Sequence, residues 1–281
     1  MHIKNQNLPN ANLLSNEIIV NSINHMNQKD LNAINRDTSY KLMLFEKGEN
    51  GAHLIDFKTH HVTPKSLFFI QPGQIHHLKR KPNEDGLIIQ FSKSTLTQSM
   101  LHCNVDFYLL LMNISKINLS DLSFRRFNKL FKKMKKIHER ESSLKTAKLT
   151  QLLGFILLDL LELIYHTPSA PKLDKHPYQF LYELERHFAK FKKVKQYAAL
   201  LNLSESVLNR KIKEQFGKTP LNFIHERILV EIKRLMIIDK ITHKEIAHIL
   251  NFDSQSSYSR FIKKHTDLTP SAFFKKTMAN I

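Results

Sequence analysis

The sequence predicts an α+β chain in which a β-rich N-terminal part precedes an all-helical C-terminal part. Three observations lead there. Between Tyr40 and Phe91, short apolar runs alternate with turn residues. After Asp121 the apolar period becomes helical. Beyond Pro171, a unit of two short helices occurs twice. The 281 residues suffice for about two domains.

The β elements come first. Lys41 to Phe45 runs into Gly48-Glu49-Asn50-Gly51, a hairpin turn, and His53 to Phe57 returns from it. Leu67 to Ile70 is stopped by Pro72-Gly73, a pair suited to a type II corner. Leu87 to Phe91 follows Asp85-Gly86. Strands this short and closely spaced indicate a small sandwich or barrel.

The next segment is helical. Phe124, Phe127, Leu130, Phe131, Met134 and Ile137 form one apolar stripe. Opposite stand Arg125, Arg126, Lys129, Lys132, Lys133, Lys135, Lys136 and Arg140, read as a solvated face, with a nucleic-acid contact as the lesser reading. Leu149 to Tyr165 is apolar nearly all round. Protein must cover both its sides, and a second copy of the chain is the expected cover. Thr167 to Pro171, with two prolines, reads as a linker.

The repeat carries most of the functional information. Ala198 and Leu201-Asn202 recur 49 residues later as Ala247 and Leu250-Asn251. Arg210, Ile212, Lys213 and Thr219-Pro220 recur 50 residues later as Arg260, Ile262, Lys263 and Thr269-Pro270. In each copy a small alanine permits a close helix crossing. An asparagine that tolerates left-handed backbone then turns the chain, and a polar cap starts a second helix. Ser204 caps the first copy, with Leu208, Ile212 and Phe216 inward and Ser206, Asn209, Arg210 and Lys213 outward. In the second, Thr242 with Glu245 forms a capping box, and Asp253 or Ser254 caps the next helix. Tyr258, Phe261 and Ile262 face inward; Gln255, Ser256, Ser257, Arg260 and Lys263 face outward.

Two helices joined by a tight turn, with Arg, Asn, Gln and Ser on the free face of the second, make a helix-turn-helix. Arginine forks onto guanine, Asn and Gln onto adenine, and bordering lysines suit phosphates. A long helix over Leu221 to Ile238 joins the copies and, if rigid, sets the reading helices about 34 Å apart, one duplex turn.

Composition agrees. Lys plus Arg number 43 against 25 acids, a formal charge of +18, and the C-terminal part is the more basic per residue. Such an excess points to a polyanionic partner. The apolar stretch from Leu152 to Tyr165 is shorter than a bilayer span and carries Asp159 and Glu162, so no membrane segment is expected. Without a secretory signal, and with Cys103 as sole cysteine, the reading is cytoplasmic, with no disulfide or structural zinc.

The double unit resembles the DNA-binding domain of AraC/XylS-type bacterial transcription regulators. The resemblance rests on Tyr197 to Ser204, Leu208-Asn209-Arg210, Gly217 to Pro220, Glu226 to Ile228 and Glu231 to Leu235. It continues in Glu245 to Phe252, Ser259 to Thr266 and Leu268 to Ser271. It implies seven helices, base-reading by Ser206, Asn209, Arg210, Gln255, Ser256, Ser257 and Arg260, and phosphate contacts from Lys213, Lys263 and Lys264. Asn251 and Asp267 stand where the family usually has glycine, and Ile232 where it has a small alanine.

His53 to Phe57 and Ser66 to His76 resemble that family's cupin-like sensor barrel, which implies a small-molecule pocket, here placed at His53, Phe69 and His76, followed by helices that pair two chains. The implied division is a barrel over 1–118, a pairing segment over 119–166, a linker over 167–176 and the double helix-turn-helix over 177–281. The implied function is a regulator of promoter DNA, an activator by family analogy, homodimeric, acting with RNA polymerase, and needing no cofactor.

Two other classes compete. A cupin-type metal enzyme fused to a DNA-binding module would need ligands from His53, His60, His61, His76 and His77. The His-x-His, Glu and later His of metal-binding cupins are missing, and adjacent histidines on a strand point to opposite faces. No phosphate loop or nucleophile elbow is evident, so no catalysis is expected. A non-specific nucleic-acid binder would need the charge alone.

Overall fold

A computed structural model describes residues 17–25, 35–49, 51–101, 114–165, 174–238 and 241–279. The chain divides into two compact units, Met1–Pro168 and Ser169–Ile281.

Among the described residues the first unit holds two sheets. Strands β1 (Ile18–Ser22), β8 (Asp85–Phe91), β3 (Tyr40–Lys47), β6 (Ser66–Ile70) and β9 (Lys116–Asn118) lie in that order in one; β2 (Asn35–Arg36), β7 (Ile75–Lys79), β4 (Gly51–Ile55) and β5 (Lys58–Val62) form the other. All their pairings are antiparallel. Met43, Phe45, Phe68, Ile70 and Ile88 from the first sheet and Ile55, Val62 and Leu78 from the second share one buried cluster, so the sheets pack face to face. Among the described residues no ladder joins the two sheets into a ring. The strands form two antiparallel layers packed face to face, the β-rich first part that the sequence predicts.

Among the described residues helices α1 (Lys93–Ser99), α2 (Asp121–His138) and α3 (Lys145–Tyr165) accompany the sheets. Phe127, Phe131 and Met134 turn the apolar face of α2 inward, where the helix packs on α3, β1 and β3. Both faces of β3 are thus covered, which explains its almost unbroken burial. Arg126 of α2 hydrogen-bonds the buried Asp159 of α3. Gly154 lets α1 approach α3: a Cβ there would meet the Ser99 carbonyl oxygen at 2.4 Å. Leu149, Leu153, Ile156, Leu157, Leu160 and Leu161 of α3 are buried, while Phe155 and Leu158 stay nearly half exposed.

The strand expected over His53 to Phe57 ends earlier. Asp56 and Phe57 have φ of +43° and +69° and form the two-residue turn into β5, a strand the sequence did not disclose. Asp56 is held by Gln74 Nε2 (2.8 Å) and the Ile75 amide (3.2 Å). Cys103 and the predicted linker from Thr167 to Pro171 lie outside the described residues.

The second unit comprises seven helices among the described residues: α4 (Lys175–His187), α5 (Val194–Leu200), α6 (Glu205–Phe216), α7 (Pro220–Ile238), α8 (His243–Ile249), α9 (Gln255–Thr266) and α10 (Pro270–Ala279). One core serves them all, running from Phe180 through Tyr197, Leu208, Ile212, Ile228 and Ile246 to Tyr258, Ile262 and Phe273. Ile232, bulky where a small residue was expected to ease the crossing, is fully buried in that core. Among the described residues no helix is long and apolar enough to cross a membrane.

Candidate nucleic-acid interface

Each copy is built as its sequence implies. Asn202 and Asn251 turn the chain with φ of +53° and +50°, the left-handed conformation that asparagine tolerates best after glycine. Ser204 accepts from the Val207 amide at 3.3 Å. Ser254, not Asp253, caps α9 and accepts from the Ser257 amide at 3.1 Å. Thr242 and Glu245 form the expected capping box on α8, and those hydrogen bonds lower the Glu245 pKa. Helices α6 and α9 both end in left-handed residues, Gly217 (φ +70°) and Asp267 (φ +60°).

The copies also agree in exposure. From Ser204 to Gly217 and from Ser254 to Asp267, every position has the same burial class as its counterpart. Leu208 and Ile212 are buried in one, Tyr258 and Ile262 in the other. Each helix therefore docks one narrow stripe on the shared core and leaves its opposite face to solvent.

That face carries most of the expected side chains. Ser206, Arg210, Gln255, Ser256 and Arg260 are exposed, as are Lys213, Lys263 and Lys264. Arg210 pairs with Glu214 at 3.3 Å, whereas Arg260 makes no ion pair among the described residues. Asn209 is half-buried and donates to the Glu205 carbonyl at 2.8 Å. Ser257 departs from the expected outward set. It is half-buried, and its hydroxyl sits in the α9 cap, 2.7 Å from the Ser254 carbonyl and 3.1 Å from the Ser254 amide.

Several positioning residues were not visible in the sequence. Lys192, just before α5, donates to the carbonyls of Ala189 (2.9 Å), Leu250 and Asn251 (3.1 Å) and lies over Phe252. It fastens the second copy's turn to the entry of the first; burial lowers its pKa. Burial would raise Asp174, the α4 cap, yet hydrogen bonds from Lys211 of α6 and from His176 bring it down to about 2. On α7, Glu231 accepts from Arg227 (3.0 Å) and Arg234 (3.1 Å), and Arg227 also holds Glu185 of α4. His225 of α7 lies 4.2 Å, centroid to centroid, from His265 of α9. Burial, then the nearby His265 and Lys264, lower His225 to about 4.

The expected pocket residues of the first unit are only partly brought together. His53 and His76 approach to 5.6 Å between ring centroids. Phe69 does not join them: it stacks on Tyr40 on the other face of its strand, and Phe68 is the ring beside His53, at 4.8 Å. Lys41 and Asp37, both buried, complete the group. Lys41 pairs with Asp37 and reaches His76 Nε2 at 3.2 Å, and Asp37 lies 3.1 Å from the same nitrogen. Burial raises the Asp37 pKa, but His76 and Lys41 outweigh it and drive it far down. Burial lowers the pKa of His53 and of His76, in His76 against the raising effect of Asp37. Among the described residues neither ring nitrogen of His53 has a hydrogen-bond partner. His60 is half-buried and His61 exposed, the alternation a strand imposes. Among the described residues no three His, Cys, Asp or Glu side chains gather as metal ligands.

Residues 197–276 match the family model of a helix-turn-helix domain, HTH_18. Over 99 residues, 35% of this chain and 41% of the relative, the sequence is 27% identical to the uncharacterized HTH-type transcriptional regulator YobQ of Bacillus subtilis. Among solved structures, ToxT of Vibrio cholerae is 14% identical with a TM-score of 0.44, covering 92% of this chain and 97% of ToxT. The AraC-like transcriptional activator CuxR is 14% identical with a TM-score of 0.34, covering 76% of this chain and 73% of CuxR. The family match lies on the two copies described above, and residues 197–276 form a helix-turn-helix domain.

Proposed function

We propose that the whole chain is a sequence-specific transcription regulator. One observation carries this: two helices with matching exposure, each presenting Arg, Gln, Asn or Ser outward on a common core. Ser206, Arg210, Gln255, Ser256 and Arg260 read base edges in successive major grooves, while Lys213, Lys263 and Lys264 hold phosphates. Asn209 joins the readers on giving up its bond to Glu205. Ser257 acts by fixing the start of α9.

The first unit, as the sensor over 1–118 with the helical segment 119–166, supplies control and pairing. The exposed Phe155 and Leu158 of α3 fit a homodimer contact. The buried group of Lys41, Asp37, His53 and His76 fits recognition of a small polar effector, since the nitrogens of His53 offer hydrogen bonds that no group among the described residues takes. The chain acts in the cytoplasm as an activator that meets RNA polymerase, and carries out no catalysis of its own.

Selection of bound sequences from a random duplex pool, under excess competitor DNA, tests the reading. A preferred site bound about 10³-fold more tightly than random DNA supports it. Equal affinity for all sequences would leave only a non-specific binder.

A further inference from the structure

We propose that the exposed cationic face of α2 is a second DNA contact, a phosphate-binding strip on the N-terminal unit. This rests on the reading of the chain as a DNA-binding protein and extends it to a surface outside the helix-turn-helix domain.

Arg125, Lys129, Lys132, Lys133 and Lys136 are all exposed and, with Asn128, line one shallow groove along the helix. Their spacings of three and four residues place them on one face. Cations elsewhere on α2 are paired: Arg126 with Asp159 and Glu162, and Lys135 with Glu139. Among the described residues only Lys132 of the strip has a carboxylate partner, Glu46 at 3.2 Å. Arg125, Lys129, Lys133 and Lys136 make no ion pair among the described residues.

A merely solvated face normally interleaves signs, because opposite charges three or four residues apart attract. Here the members of the strip repel one another at those spacings; acids stand only at its two ends, Asp121 and Glu139, and these pair with Lys65 and Lys135. The helix dipole favours cations in the last turn, which accounts for Lys136 but not for Arg125 or Lys129 nearer the N-terminus. A polyanion would offset that repulsion. Arg125 to Lys136 extends about 17 Å at 1.5 Å per residue, or about five base pairs of duplex.

The groove also favours nucleic acid over other polyanions. Among the described residues only Arg, Lys and Asn line it, so its apolar surface is that of their stems and it holds no aromatic anchor for a protein partner. Phe127, Phe131 and Met134 bury the apolar face of α2 against α3 and the first sheet, and the exposed Leu122 near its start is too little apolar surface to insert into a membrane.

The test measures duplex affinity of the full chain against salt, using a 40-base-pair DNA of mixed sequence. The variant combines Arg125→Gln, Lys129→Gln, Lys133→Gln and Lys136→Gln, all exposed positions and all to a good helix former. An unchanged thermal midpoint checks folding. Each lost phosphate contact lowers the slope of log K on log salt by about 0.9, so a fall of roughly 2 to 4 is expected, with affinity down at least about tenfold at 0.1 M salt. If the slope is unchanged while a Lys213→Gln, Lys263→Gln, Lys264→Gln variant loses affinity, the strip is not a DNA contact and the helix-turn-helix reading stands. The same unchanged slope, with loss of binding to polyglutamate or to phosphatidylserine vesicles, assigns the strip to another polyanion and overturns the proposal. A wild-type chain with no duplex affinity overturns both readings.

Discussion

The two helix-turn-helix copies have the same shape and different electrostatics. Helices α6 and α9 share burial position for position, both follow a left-handed asparagine, and both end in a left-handed residue. Yet α6 holds Arg210 against Glu214, while the residue matching Glu214 in α9 is Lys264, and Arg260 is free of ion pairs among the described residues. Shape fixes where a reading helix can stand. Charge fixes how strongly it is drawn to DNA, and on that count the second copy is the stronger hand.

The largest effect would come from breaking the common scaffold. Ile212 and Ile262 occupy equivalent, fully buried positions in one core. Alanine at either should cost about 2–5 kcal/mol. Because the core is continuous, each variant should shift one and the same unfolding transition of the C-terminal unit. Two separate transitions in calorimetry would mean that the copies fold independently.

The arginines come next. Arg260→Ala should weaken binding to a selected site by about 1–3 kcal/mol and relax preference at one base position. Arg210→Ala should cost less, because Arg210 must first leave Glu214, and Glu214→Gln should tighten binding. Competition titrations check both; equal losses would show that the Glu214 pair survives on DNA or contributes nothing.

This difference bears on what could be read in advance. The repeat was legible because caps, turns and inward residues recur at fixed offsets. The roles of Ser257 and Asn209 were not, because a hydroxyl or amide on a helix face serves a cap or a carbonyl as readily as a base. In the sheets the limits were sharper. Phe68 and Phe69 are both buried, on opposite faces, so hydrophobicity could not tell which one faces His53. Lys41 is buried within an apolar strand only because Asp37 and His76 receive it, and that pairing is decided by strand register. Strand β1 gains its place from β8 rather than from any strong local pattern. Lys192 acts on carbonyls nearly 60 residues away, which no local motif records.

A pH-dependent contrast should be smaller. His265 of α9 lies tilted against His225, whereas its counterpart in α6, Gln215, contacts the Tyr178 hydroxyl at 3.3 Å. Burial and neighbouring cations lower His225 to about 4, so the folded state favours the neutral ring. The unfolded chain then takes up the proton first as pH falls. Stability from this pair is whole above about 6.5 and declines between 6.5 and about 4. Hydrogen exchange of α9 amides, corrected for intrinsic rates, should rise relative to α6 between pH 7 and pH 5, and His225→Phe should flatten the difference. Parallel behaviour of the two helices would remove the histidine pair as its cause.

The finest test lies in the residues that end the two reading helices. Gly217 and Asp267 share left-handed backbone, and a Cβ at Gly217 would meet nothing within 4 Å. Gly217→Ala should therefore cost only the backbone strain, about 1–2 kcal/mol. Asp267 already bears part of that strain, softened because Asp tolerates the conformation better than most residues. Asp267→Gly relieves it but gives the unfolded chain more freedom, worth about 0.4–1 kcal/mol in the opposite direction. The net should be within about 0.5 kcal/mol of zero, against a clear loss for Gly217→Ala. Urea titration of the two variants measures the gap. A loss at Asp267→Gly as large as that at Gly217→Ala would mean that the Asp267 side chain, rather than its backbone, secures the end of α9.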